Sequence, residues 1–404
     1  MGRERVTGVC TMKLMHLSDL HIGKRVNEFS MLEDQRAVFE EICHILDEEK
    51  VQGVIIAGDV YDRQEPSAQA VQLCDDLICA LRERGLKVFA ISGNHDSAAR
   101  ISYGRRVMRD SGIYLSRPYD GGIEEVCLED EYGPVQVYLM PFLKPAQVRA
   151  VFPDNDCADY TQAVATVLDH LEMDGTKRNV LVMHQFVAGA QTCESEEAVG
   201  SLEAVDAALL EKFDYVALGH IHRAQQVHKE YIRYAGTPLK YSLSEVNHHK
   251  SVTIVDLGEK GSVDIRQIPL HPLRDMYEIR GSFEEVASRS YYEGKAFKEG
   301  YLHIILTDEE IIPEAMGRLR AVYPYIMKLS YDNTRTRTDS LVEAARKLES
   351  KSELELFEEL YVSQNGQEMT DEAREYMREL IEQCLDTENI QTGGSRRARG
   401  GAGR

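Results

Sequence analysis

The chain has 404 residues, 43% of them hydrophobic and 28% charged, with a formal net charge of −21. That length accommodates two or three domains around well-buried cores, and no apolar run approaches the ~20 residues needed to span a bilayer. So acidic a chain argues at first against nucleic acid as a partner. The charge is unevenly spread, however: residues 339–390 carry 15 acidic against 5 basic side chains, and acids that ligate divalent cations would reverse the local sign.

Residues 1–11 lack the apolar core of a signal peptide and read as a short N-terminal extension. The eight cysteines, at positions 10, 43, 74, 79, 127, 157, 193 and 384, form no Cys-x-x-Cys pair. This favours reduced thiols in a cytoplasmic protein over a disulfide framework or a zinc ribbon.

From Lys13 to Leu17 an apolar segment without Gly or Pro suits a buried strand, and it runs into Asp19 and His21. In extended backbone, residues two apart point to the same side, so this carboxylate and imidazole are expected to converge. Residues 28–50 carry Met31, Val38, Phe39, Ile42, Ile45 and Leu46 at helical spacing, with Gln35 interrupting the apolar face. Gly53 to Ala57 is a second strand, ending in Gly58-Asp59. Pro66 suits the first turn of a helix running to about Arg84. Lys87 to Ile91 is a third strand, ending in Gly93-Asn94-His95-Asp96. Alternating strands and helices describe a βαβαβ half of an α/β fold, with polar residues at each strand's carboxyl end, where open α/β sheets place their sites.

Hairpin-like strands are expected at about 123–128 and 135–140, and a helix at about 160–173. Asn179 to His184 and Asp214 to His222 repeat the pattern of an apolar strand ending in ligand types, the second delivering both His220 and His222. Strands at 250–256 and 262–268 close a first domain spanning 12–270. Residues 271–335 suggest a small α+β unit, with strands from Tyr301 to Leu306 and from Ile326 to Tyr331 flanking a helix at 313–322. Residues 336–390 are acidic, amphipathic and helical, broken at Asn365-Gly366 into a pair. Residues 391–404, rich in Gly and Arg, suit a disordered tail.

Collected, the strand ends supply Asp19, His21, Asp59, Asn94, His95, His184, His220 and His222. Singly, each has a plain explanation, such as a turn cap for Asp19 and a surface position for His21. Five such motifs on successive strands do not. Carboxylate, imidazole and amide donors without a thiolate favour Mn²⁺, Fe²⁺ or Zn²⁺ over Mg²⁺, and their number suits two ions sharing a bridging carboxylate. His16, inside the first strand, reads as a core or near-site residue, and His44, His170, His248, His249 and His271 as structural or solvated.

The series Asp19-x-His21, Gly58-Asp59, Gly93-Asn94-His95-Asp96, His184 and Gly219-His220-x-His222 resembles the motif set of the calcineurin-like metallophosphoesterases. Ser18 to Gly23, Gly58 to Asp62 and Gly219 to His222 are most similar to the bacterial branch that supplies the nuclease component of a double-strand-break repair complex, and the similarity covers roughly residues 12–390. It implies a layered α-β-β-α sandwich, a capping domain that contacts DNA and a C-terminal helical pair. It further implies that Asp19, His21, Asp59 and His222 hold one ion, while Asp59 bridges to a second that also takes Asn94, His184 and His220; two Mn²⁺ ions are expected. His95 is implied to contact the scissile phosphate, with Asp96 orienting it. Asp62 stands where archaeal and eukaryotic relatives have a histidine, which leaves it an orienting role.

The same resemblance implies a double-strand exonuclease and single-strand or hairpin endonuclease, associated with the nucleoid and homodimeric within a heterotetramer with an SMC-like ATPase. The helical pair would dock on that partner's coiled-coil base through anchors such as Leu356, Phe357, Leu360 and Tyr361, residues that internal packing would explain as well. Arg100, Arg105, Arg106 and Arg109, just after the His95 loop, suit contacts to a DNA backbone or a solvated helix face. Two other functions stay open. A small-substrate enzyme, either a cyclic-nucleotide phosphodiesterase or a phosphatase, leaves about 130 C-terminal residues unused. A scaffold without chemistry is disfavoured by the full ligand set.

Overall fold

A computed structural model describes residues 11–155, 157–192 and 204–334, together with residues 357, 358, 361, 369, 370, 373, 374, 376 and 377. Two six-stranded sheets lie face to face. The first runs in the order Val263–Pro269, Ser251–Leu257, Met12–Leu17, Gly53–Ala57, Lys87–Ile91, Ile113–Leu115. The second runs Gln225–Val227, Lys229–Tyr234, Tyr215–Gly219, Arg178–His184, Gly133–Leu139, Glu124–Asp130.

Alternation along each strand sends successive side chains to opposite faces, and the central strands bury both. Leu14, Ile55, Phe89, Val180, Val182, Ala217 and Val255 fill the layer between the sheets. Met15, Val54, Ile56 and Val88 turn outward to Val38, Phe39, Ile42, Leu73 and Leu77 of the helices Leu32–Glu49 and Ala68–Glu83. On the far side, Leu181, Met183, Val216 and Leu218 pack with Ala163, Val164 and Val167 of the helix Tyr160–Asp169. Each fully buried aliphatic side chain contributes about 1.5–3 kcal/mol. The result is the expected α-β-β-α sandwich.

Two local expectations are corrected. Pro66 lies outside the second helix: Ser67 is its N-cap, with its hydroxyl accepting from Ala70 N at 3.2 Å, the commoner way of satisfying a first-turn donor. The helix expected to reach 173 stops at Asp169, because His170 takes the cap position and its Nδ1 lies 2.7 Å from the Thr166 carbonyl.

The segment after residue 270 forms a three-stranded sheet of Met276–Gly281, Tyr301–Leu306 and Ile326–Tyr331, the first two strands parallel. The short helices Phe283–Ala287, Arg289–Tyr292 and Ala315–Arg320 accompany it. It is fastened to the first turn of the Leu32–Glu49 helix: Arg274 donates to Asp34 Oδ2 at 3.1 Å and Glu33 Oε2 at 2.8 Å, and the Tyr301 hydroxyl donates to Asp34 Oδ2 at 2.7 Å.

Among the described residues, those up to 330 apart from 308–311 form one compact unit, and 308–311 with those beyond 330 belong to a second. Most of the expected helical pair, with Leu356 and Leu360, the N-terminal extension up to residue 10, and the Gly/Arg tail lie outside the described residues. Phe357 and Tyr361 are described, half-buried in helical backbone. Among the described residues, no helix is long and apolar enough to cross a membrane.

Candidate metal centre

The strand ends of both sheets meet at one edge. Parallel pairing sets Leu17 beside Ile56 and Ala57 beside Ile91 in the first sheet, and Gly219 beside His184 in the second. The loops leaving these strands carry the ligand types. The backbone there departs from the extended geometry expected for Asp19 and His21: both have left-handed φ, 52° and 44°, as do Asp59 at 48° and His220 at 103°. Non-glycine residues reach this region at a cost and cluster at functional sites. Cross-links between the loops hold them there, Asp19 N donating to Gly58 O at 3.0 Å and His21 N to Asp59 O at 2.9 Å. Convergence of the pair thus comes from a turn, not from a strand.

Two glycines of the motifs exist for space. A Cβ on Gly93 would strike the Asp59 carboxylate, and one on Gly219 would strike the Ala57 carbonyl and the His184 ring.

Asp59 sits at the centre. Its Oδ2 lies 3.3 Å from His184 Nε2 and 3.8 Å from His21 Nε2, while its Oδ1 accepts from His95 N at 2.9 Å. Asn94 Oδ1 stands 3.0 Å from both His184 Nε2 and His220 Nδ1. Asp19 is buried 4.0 Å from His184 and receives the His220 main-chain N–H at 3.0 Å. Donor atoms converge in three overlapping sets: Asp19, His21 and His222; Asp19, Asp59 and His184; His21, Asp59 and His95. All the predicted ligands therefore gather here.

The residues fit a pair of divalent cations. Both ring nitrogens of His21 are buried without a hydrogen-bond partner, an arrangement that costs free energy unless something else satisfies them. His184 Nδ1 lies 2.8 Å from the Ala57 carbonyl, so it carries a proton, which leaves Nε2, beside Asp59 Oδ2 and Asn94 Oδ1, as the ring nitrogen that would ligate an ion on giving up its own proton. The donors are imidazole, carboxylate and amide, which suits intermediate transition-metal ions.

Electrostatics agree. Burial, with the Asp59 charge nearby, lifts the Asp19 carboxyl to about 6. Burial would lift Asp59 as well, but the His184 ring beside it, with His21 and His95, holds it far below the usual carboxylate range. Burial alone would lower His184, and the Asp59 carboxylate reverses this, raising it to about 9. Burial drives His21 well down and, with His184 close by, takes His220 to about 3. The two carboxylates, beside the neutral rings of His21 and His220, favour positive charge at this point, and the His184 ring answers to it by holding its proton.

His95 hangs over this cage, its ring centroid 4.9 Å from that of His21 and its Nδ1 3.0 Å from the Asp62 carbonyl. The orienting group is thus the main chain of Asp62. The Asp62 carboxylate instead accepts from Lys24 Nζ at 2.8 Å. Asp96 does not hold the His95 ring as expected: its oxygens accept from Val60 N, Tyr61 N and Gly93 N at 2.9–3.0 Å, tying the Asp59 and Asn94 loops together. Of the four arginines, Arg105 and Arg109 pair with Glu124 and Arg100 with Glu65, which neutralises most of the expected basic patch; Arg106 is exposed. His16 is fully buried, 2.9 Å from the Tyr215 hydroxyl, and belongs to the core.

Three supporting residues carry no motif. Gln35 donates to the Leu20 and His21 carbonyls and accepts from Gly23 N, gripping the His21 loop; its one sign in the sequence is an amide on an apolar helix face. Tyr241 donates to the Leu20 carbonyl at 2.6 Å, and Glu245 contacts His222. Neither has a recognisable sequence context.

Comparison with known proteins agrees with this geometry. Residues 12–224 match the calcineurin-like phosphoesterase family model, and residues 272–365 match the model described as type 5 capsule protein repressor C-terminal domain. The chain is similar to the SbcD component of the nuclease SbcCD from Staphylococcus epidermidis, 30% identical over 93% of this chain and 100% of that protein. It is likewise similar to the SbcD component of the same nuclease from Staphylococcus saprophyticus, 33% identical over 79% of this chain and 84% of that one. The chain belongs to the calcineurin-like phosphoesterases and, within them, to the SbcD family of nuclease components.

Proposed function

We propose that the protein is a metal-dependent nuclease component that hydrolyses DNA phosphodiesters at the Asp59-centred site. The observation that carries this is the convergence of Asp19, His21, Asp59, His184 and His222 within one buried cluster, with Asn94 and His220 against it. Asp19, His21, Asp59 and His222 are assigned to one ion and Asp59, Asn94, His184 and His220 to the other, both Mn²⁺. When bound, two such ions supply Lewis-acid polarisation of the phosphodiester and activation of a water for in-line attack.

The chain's own residues do the rest. Asp59, central to both sets, fixes their spacing. His184 is held in the Nε2 lone-pair tautomer by Ala57. His95, anchored through Nδ1 by the Asp62 carbonyl, turns Nε2 to the substrate, where it stabilises the phosphate charge or protonates the leaving oxygen. Asp96, Gly93 and Asp19 keep the loops from relaxing out of their left-handed conformations.

DNA is favoured over a small substrate because the relatives named as nuclease components match nearly the whole chain, including residues beyond 270. The SbcCD names support an SbcC component as partner; an SMC-type ATPase docked on residues 336–390, in a cytoplasmic, nucleoid-associated heterotetramer, is the working form that the family resemblance implies. Exposed Tyr103 and Val107, after the His95 loop, suit the face between two copies of this chain. The test is cleavage of end-labelled duplex and hairpin DNA by EDTA-stripped protein: activity should return with Mn²⁺ alone, and cleavage undiminished by stripping would refute the metal-dependent mechanism.

A further inference from the structure

Glu245 lies in the short turn Leu243–Glu245 and is fully buried beside His222. Its Oε1 is 3.1 Å from His222 Nδ1 and accepts from Tyr241 N at 3.4 Å, while its Oε2 accepts from Lys250 Nζ at 2.5 Å. The same ammonium donates to the His222 carbonyl at 2.9 Å and to Thr237 Oγ1 at 2.6 Å. The Glu245–Lys250 pair therefore grips His222 by its ring and by its main chain. A buried carboxylate is costly unless it is balanced, and Lys250, itself buried, balances it.

We propose that Glu245 is a positioning residue for the first ion, accepting the Nδ1 proton of His222 so that Nε2 offers its lone pair, with Lys250 holding the carboxylate in place. This rests on the metal-binding function proposed above. The two halves of the centre are then built unequally. His184 leans on a neutral carbonyl, that of Ala57, whereas His222 leans on a carboxylate. An anionic acceptor makes the imidazole the stronger ligand. A residue that merely anchored the turn would affect both ions or neither. One acting through His222 affects the first ion alone.

The test is Mn²⁺ titration of EDTA-stripped full-length protein by calorimetry, with electron paramagnetic resonance to report whether the ions form a coupled pair. Wild type should bind two ions. Glu245→Ala should weaken one of them by about 10–100-fold and leave the other unchanged, replacing the coupled-pair signal with that of isolated Mn²⁺. Glu245→Gln, whose amide oxygen still accepts from Nδ1, should restore part of the loss. Should Glu245→Ala fail to fold, Glu245→Met/Lys250→Met, which removes both buried charges together, carries the same expectation. Variants that bind both ions as wild type does, or lose both together, would overturn the inference. Wild type binding no Mn²⁺ would instead overturn the metal-binding function, and the inference with it.

Discussion

The main-chain N–H of His95 donates to Asp59 Oδ1 at 2.9 Å, so the carboxylate proposed to serve both ions also fixes the loop that carries the residue proposed to face substrate. The link runs through the backbone, which leaves the His95 side chain free to be exchanged without loosening Asp59. His95→Gln should keep full Mn²⁺ content while cleavage falls at least about 100-fold, the scale of one general acid. Metal analysis beside a nuclease assay decides it; lost metal would make His95 a ligand.

Gly93 lies against the same Asp59 oxygen. A Cβ there would overlap the carboxylate and the Asp59 main-chain nitrogen, neither of which can move without breaking the loop cross-links. Gly93→Ala should therefore lose Mn²⁺ affinity with secondary structure intact. Circular dichroism with calorimetric titration checks this, and wild-type affinity would show that the loop has slack.

Much of this centre is legible in the sequence because its chemistry lies at strand ends. Apolar runs stopping at Gly58-Asp59, Gly93-Asn94-His95 and Gly219-His220 announce both strand and site, since only the strand core needs burial and only the exit needs ligands. The left-handed turns at Asp19 and His21 are not legible, because non-glycine residues in that conformation carry no compositional mark. Nor are Glu245 and Tyr241, whose roles depend on contacts over 23 and 221 residues of sequence. Asp96 misleads for a related reason: adjacency to His95 in sequence suggests contact, whereas the turn aims its carboxylate at the main chain of Val60 and Tyr61.

The three-stranded sheet after residue 270 is held by a buried acid. Asp34 is fully buried, and Arg274 is its one cationic partner among the described residues. Arg274→Ala leaves that carboxylate with the Tyr301 hydroxyl alone and should cost about 3 kcal/mol, as loss of one member of a buried pair does. Urea denaturation measures it, and an unchanged midpoint would show that the apolar contacts suffice.

Asp130 provides a pH signature. Burial would raise its carboxyl, but Arg178, which also donates to the Leu257 and Gly258 carbonyls of the facing sheet, brings it below the ordinary range. A depressed folded value means that the unfolded chain binds the extra proton. The contribution is complete above the unfolded value of about 4 and is lost as pH falls through the lower, folded one. Asp130→Asn should be less stable than wild type at pH 7, with the gap narrowing in acid. Urea melts at both pH values test this, and a gap that widened in acid would contradict it.

The central claim is that this centre works on DNA. The most direct measurement offers Mn²⁺-loaded protein a DNA hairpin, a cyclic nucleotide and a phosphopeptide under identical conditions. Cleavage of the hairpin, abolished in His95→Gln and well above turnover of the other two, is the expected result. Efficient hydrolysis of the cyclic nucleotide or phosphopeptide with the hairpin left intact would contradict it.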